Sequence, residues 1–326
     1  MYMLNLASFM NIFDTLGFGI AAMVAVGASW CLVGLVMGDA PKKNVDVAMV
    51  QFFGAIVSTL ASLVIVFFTG ASADAVSLKW VLITLSLFFS SGFLNFFMLQ
   101  LMSKAMQTGP NGIIWSIIQS AMVFPFIVGM IFFNTESGVM KIIGVILLVV
   151  ALFGFGMAKD NSSKGGNAWR WLSFCALAIC ATQQNLATLP TYYEECRGVS
   201  SAFCTMSSAA GTMTASLIFT LFTLTEEKKQ RLKANLGSWN LWKYVIALQG
   251  FGLITSFFLF YPGMFIMGRH GLGMLCYPMM VGSCIVSFTL TSIFLLKEKV
   301  KMIQIIALLL CISGLVCLGL DKFISF

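Results

Sequence analysis

Thr182, Gln183, Gln184 and Asn185 stand in succession inside an otherwise apolar run. Polar side chains are costly in hydrocarbon, so they face a bundle interior or a wet cavity. Successive residues of a helix fan out by about 100°, so these four cannot share one direction. The segment must be wrapped by protein or water, or be locally unwound. Its amides and hydroxyl offer donors and acceptors to the hydroxyl or carbonyl groups of a ligand. Bonding to neighbouring helices would use the same residues as a packing cluster.

Other polar and aromatic residues fall at helical spacing. Ser91 and Asn95 share a face, with Gln100 on another, while Asn111, Trp115 and Gln119 recur every four residues. An offset of 162 positions lays Trp115 on Tyr277. Two such aromatics could flank a flat or ring-shaped substrate with apolar faces and polar tips, or anchor helices at the interface. Tyr261 precedes Pro262, whose missing N–H leaves a backbone carbonyl free. Gln51 and Gln249 are further candidates. Ser201, Thr205, Ser208, Thr212 and Ser216 form one face of small hydroxyl residues, a pattern that also lets helices approach closely. Pro125, Pro262 and Pro278 interrupt apolar runs and could act as bends or plain kinks.

Catalysis has little to draw on. There is one histidine, His270, and no CxxC pair, and eight of the nine cysteines lie within apolar runs, where Cys acts as a small hydrophobe. No catalytic residue, metal ligand or cofactor is expected. The absence of a GxxxxGK[ST] loop argues against an ATP-driven pump in this chain. No acid sits mid-span to carry a proton; Asp14, Glu136, Glu298 and His270 lie at span boundaries, where Glu136 and Glu298 suit the positive N-terminal ends of the helices that follow. Coupling to protons or to exchange is therefore open. A charge-free interior favours a neutral or zwitterionic substrate.

The elements that must position these residues follow from composition. Hydrophobic residues make up 59% of the chain and charged residues only 10%, against roughly 25% charged in soluble chains. Such a surface faces lipid. A bilayer core of about 30 Å needs about 20 apolar residues per helix, and spans fall near 16–37, 47–69, 80–102, 112–133, 142–158, 171–190, 199–225, 244–268, 271–296 and 302–320. The first run lacks a basic leader and reads as a retained span. The stretch from Glu226 to Lys243 reads as a basic connector. The net charge of +7 comes from Lys and Arg in the short gaps, a topology signal and not a nucleic-acid footprint. Fourteen of the 19 Lys and Arg follow spans 1, 3, 5, 7 and 9, which places both termini outside under the positive-inside rule.

The 162-residue offset also matches Ile131-Phe132 to Ile293-Phe294, Met140 to Met302 and Ile143 to Ile305. Each half, 1–160 and 161–326, then holds five spans. An odd number requires opposite orientations, so the expected fold is an all-α membrane protein of ten transmembrane helices in two inverted five-helix repeats. In such designs the site lies near the midplane between repeats.

Each half ends in a short acidic gap, Phe133-Asn134-Thr135-Glu136 and Leu296-Lys297-Glu298, before a Gly-rich last span. With the two five-helix halves, this resembles the drug/metabolite transporter superfamily and its EamA-like members. The Ser29-Trp30-Cys31 segment departs from the Trp-Gly pair usual in the first helix. Termini-out topology and the Lys42-Lys43 pair look more like the L-rhamnose–proton symporter branch. The resemblance implies a secondary transporter, not an enzyme, moving a small molecule across a bilayer; the short loops and lack of sorting signals suit a bacterial inner membrane. A sugar-like, nucleoside or amino-acid substrate competes with export of amphipathic compounds, for which the 21 Met and 31 Phe would suit a lining that repacks. A channel would show a filter motif or charged ring, and neither is present in the sequence. Oligomeric state is not legible.

Overall fold

A backbone in hydrocarbon has only itself to hydrogen-bond, which makes helices the available solution for long apolar runs. A computed structural model describes residues 15–69, 76–109, 111–135, 138–158, 168–294 and 302–320; among them the regular elements are helical and none is a strand. The first run makes α1 (Leu16–Ser29) and α2 (Cys31–Asp39). Next come α3 (Val47–Thr69) and α4 (Leu78–Thr108), then α5 (Asn111–Gln119) and α6 (Val123–Phe132), then α7 (Val139–Ala158). After α8 (Ala168–Thr188) follow the short α9 (Glu194–Arg197), α10 (Ser201–Thr223) and α11 (Glu226–Leu236). The chain closes with α12 (Trp239–Thr255), α13 (Tyr261–Arg269), α14 (Cys276–Phe294) and α15 (Met302–Leu320).

Seven of these helical stretches are long and apolar enough to cross a membrane: 16–37, 47–68, 78–108, 113–132, 168–192, 201–223 and 239–269. Three further apolar stretches, Val139–Gly154, Gly273–Ser287 and Met302–Leu318, are shorter. The outward-facing side chains are apolar too, with Phe67, Phe68 and Phe222 each at least 80% exposed. Soluble proteins rarely expose such patches. The chain has the build of a multi-pass membrane protein.

Several helices are broken where the sequence contains a reason. Ser256–Phe260 forms a π-helical turn directly before α13, whose second residue is Pro262. Pro262 has no N–H to give back along the helix, and the wider turn absorbs that loss. Pro125 follows a 3-10 turn over Ser120–Met122. The ninth apolar run starts later than its hydropathy suggests: Gly271 adopts φ +69° and Gly273–Leu275 form a 3-10 turn, so Pro278 sits in the first turn of α14 and does not interrupt it. The connector after α10 is itself helical over Glu226–Leu236, and α12 begins at Trp239, five residues before the apolar run. Trp242 Nε1 donates to the Leu236 carbonyl at 3.1 Å, stapling that corner.

α4 packs along α8 and α10, α3 along α10 and α12, and α1 along α13 and α14. α5 packs on α7 and α8, and α15 on α7 and α14. At the α4–α10 crossing the backbones nearly touch. A methyl group at Gly92 would fall 2.0 Å from the Ser208 carbonyl oxygen, and one at Gly211 would fall 2.0 Å from that of Phe89. Thr212 Oγ1 donates to the Gly92 carbonyl at 3.0 Å and Ser207 Oγ to that of Leu85 at 2.6 Å. Thr212 of the small hydroxyl face of α10 thus serves packing, as does the neighbouring Ser207, in the way such residues allow.

Candidate functional site

α4 and α8 each turn one helical face toward a common interior. On α8 that face is Cys180, Gln183, Gln184 and Ala187; on α4 it includes Phe88, Ser91, Asn95, Met98 and Met102. Both sets follow the three- and four-residue steps of a single helix face. α1 and α2 contribute Ser29 and Trp30 at their junction, α5 contributes Trp115 and Gln119, α13 Tyr261 and α14 Tyr277. Together with Thr255 and Ser256 at the start of the π-helical turn, they line a cavity of about 270 Å³.

Among the described residues, the lining contains no Asp, Glu, Lys, Arg or His. Its polar groups are amides and hydroxyls. Gln183 Nε2 donates to Ser91 Oγ at 3.1 Å, tying α8 to α4. Gln184 Nε2 reaches only the Cys180 sulfur at 3.3 Å, and its Oε1 is buried without a hydrogen-bond partner. The Tyr277 hydroxyl is likewise buried, beside Gln183 but outside good hydrogen-bond geometry. A buried polar group left unpaired costs about 1–3 kcal/mol. A ligand bringing a donor to Gln184 Oε1 would offset that cost. Aromatic walls complete the site: Trp30 and Tyr277 lie 6.1 Å apart between ring centroids, and Phe88 meets Tyr261 edge-on at 4.8 Å.

Of the nine residues singled out from the sequence, Asn95, Trp115, Gln119, Gln183, Gln184, Tyr261 and Tyr277 line this cavity. Thr182 and Asn185 do not. Thr182 is exposed on the outer face of α8 and its hydroxyl donates back to the Ala178 carbonyl at 3.0 Å. Asn185 turns its amide to the Ala181 carbonyl at 2.8 Å. Trp115 and Tyr277 share the cavity, but the ring partner of Tyr277 is Trp30, while Trp115 lies over Gly34. Gln249 lies off the cavity and accepts from Ser58 Oγ at 2.6 Å; Gln51 is buried elsewhere on α3. His270 caps the end of α13, its Nδ1 2.9 Å from the Ile266 carbonyl. Asp14, Glu136 and Glu298 lie outside the described residues, as does the side chain of Asn111.

Sequence reasoning missed Trp30, Phe88, Ser208 and the Thr255–Ser256 pair as lining residues. Trp30 carried a signal in its isolated position mid-span, and Ser208 was visible only as part of a packing stripe. Among the described residues no group of His, Cys, Asp and Glu could hold a metal ion.

On the side toward the lysine-rich ends, about one turn beyond Ala247 and Leu248 in the lining, Tyr244 on α12 donates its hydroxyl to Asp39 at the end of α2. Lys43 Nζ binds the same carboxylate oxygen at 2.9 Å. These two hydrogen bonds, Tyr244 first and Lys43 second, hold the Asp39 carboxyl below the usual carboxylate range.

The sequence matches no protein family and no curated protein. The structure does have counterparts. One solved structure, described only as "Crystal structure of protein", superposes with a TM-score of 0.65 over 94% of this chain and 99% of its own at 13% identity. The two share a fold. At that identity the likeness carries no function.

Proposed function

We propose that this chain is a secondary carrier for a small neutral or zwitterionic metabolite, such as a sugar, nucleoside or amino acid, working by alternating access. The observation that carries the proposal is the cavity: walled by helices from both halves, with no Asp, Glu, Lys, Arg or His among its described lining residues, and offering amide and hydroxyl groups, an unpaired Gln184 Oε1 among them, between aromatic walls. Membrane transporters with inverted repeats bind substrate at such a place.

The packing supports the inverted-repeat reading. When the spans of one half are exchanged for those of the other, α4–α8 maps to α13–α1, α4–α10 to α12–α3, α1–α14 to α8–α5, and α5–α7 to α14–α15. The α7–α15 and α3–α10 pairs map onto themselves. Every one of these pairs is a packing contact. This favours ten spans with halves 1–160 and 161–326, and with it the resemblance to drug/metabolite transporters. The lysine bias favours both termini outside. The Asp39–Tyr244 bond would then be a latch on the inner side, joining α2 to α12 and hence one half to the other.

Export of amphipathic compounds is the second reading, favoured by Met98, Met102, Phe88 and Phe260 in the lining. Flexible and aromatic side chains repack around varied ligands. The deciding experiment is uptake of labelled neutral sugars, nucleosides and amino acids into proteoliposomes, with and without an inward proton gradient. Saturable uptake weakened in Gln183→Ala, with a KM raised about tenfold, supports the uptake reading and its site; uptake indifferent to that change removes the site. No uptake of any of them, with efflux of amphipathic dyes from intact cells, would install the exporter instead.

A further inference from the structure

The last two turns of α4 carry a second polar face. Gln100, Ser103, Lys104 and Gln107 follow one another at three, one and three residues, so they share one side of the helix. Leu99 and Met102 on another side belong to the central cavity. The polar face opens into a separate cavity of about 580 Å³, bounded by the start of α3, the end of α10 and α11. The two cavities have no lining residue in common.

Two buried donors of this second cavity are unspent. Gln100 is 92% buried by its 8% exposure and Ser103 is 3% exposed, yet Gln100 Nε2 and Ser103 Oγ have no hydrogen-bond partner. Beside them the exposed Lys104 ammonium lies 5.8 Å from the centre of the Phe219 ring. The carboxylate in the lining, Asp46, is engaged with its own helix: Oδ1 accepts from the Ala48 N–H at 2.8 Å. A buried amide N–H and hydroxyl without partners, next to a flexible cation, match a group that accepts several hydrogen bonds and carries negative charge.

We propose that this cavity is a binding site for a phosphoryl group, held by Lys104, Gln100 Nε2 and Ser103 Oγ. The group comes either from a phospholipid headgroup or from a phosphate in solution. The cavity lies among the lysine-rich ends of the helices, where both sources are met and positive charge gathers them. An occupied site would brace α4 against α10 and α3 at the end remote from the Gly92 crossing.

Thermal unfolding of the full-length protein, followed by tryptophan fluorescence, tests this without reference to transport. One arm adds inorganic phosphate to detergent-solubilised protein, with chloride at matched ionic strength as control. The other adds phosphatidylglycerol to the detergent-solubilised protein, with a phosphate-free diacylglycerol at the same concentration as control. Binding to the folded state raises the midpoint by mass action, and a rise of a few degrees in either arm is expected. A rise in the first assigns a soluble ligand and a rise in the second a lipid. Lys104→Gln should remove the rise and Lys104→Arg should keep it. Gln100→Leu should remove it too, while leaving the ligand-free midpoint unchanged or higher, because an unpaired buried donor has been deleted. No rise in either arm, an equal rise with chloride, or a rise that survives both Lys104→Gln and Gln100→Leu would overturn the assignment.

Discussion

Tyr244 and Asp39, 205 positions apart in the chain, are joined by a hydrogen bond from the phenol hydroxyl to the carboxylate. One lies near the start of α12 and the other at the end of α2. The bond bridges elements that also wall the central cavity. Removing the hydroxyl in Tyr244→Phe should loosen that end. A cysteine at Leu248 should then react faster with a water-soluble maleimide in an otherwise cysteine-free protein; unchanged reactivity would show that the bond does not govern access.

The same carboxylate sets a pH dependence. Asp39 has a folded-state pKa below its ordinary value, so its contribution to stability is in place above the unfolded value of about 3.9. It fades as pH falls through the lower, folded pKa. Stability of the wild type and of Asp39→Asn should therefore differ at neutral pH and converge in acid, below about pH 4. Parallel melting curves down to that range would contradict the assignment.

In the central cavity, Gln183→Ala removes the amide bonded to Ser91, and Tyr277→Phe removes a buried hydroxyl. Each is expected to raise the uptake KM about tenfold, the equivalent of one hydrogen bond of about 1.4 kcal/mol. Thr182→Ala, on the outer face of α8, should leave uptake unchanged. A reversed ranking in a concentration series would mean that the substrate sits elsewhere.

At the α4–α10 crossing there is no room for a side chain. Gly92→Leu and Gly211→Leu each push a branched chain into the partner backbone, and overpacking of this kind typically costs about 1–3 kcal/mol, occasionally more. Both variants should show a lowered midpoint or lost monodispersity on size exclusion. Gly250→Leu, where a Cβ meets open space, serves as the tolerated control.

Much of the helical layout was legible because charge is so scarce: each gap with Lys or Glu marks where an apolar run ends. The corners were not. Trp239 lies five residues outside the apolar run yet begins α12, since a helix continues past hydrocarbon as long as its hydrogen bonds and the Trp242–Leu236 contact hold it. The polar residues of α8 were legible as a group, but not which of them face inward. Gln183 and Gln184 turn to the cavity and Thr182 away because the helix phase is set by what α8 packs on, namely α4 and α5. Trp30 was hidden by the break between α1 and α2, which hydropathy does not register.

The uncharged walls of the central cavity have an electrical consequence. On the carrier proposal, rocking around this cavity takes no charge from its described walls through the membrane field, which acts with about 2.3 kcal/mol per elementary charge per 100 mV. Voltage then works only on what the solute brings with it. For a solute of zero net charge the cycle is silent to an electrode, so any current recorded during its passage would be a direct count of co-travelling ions.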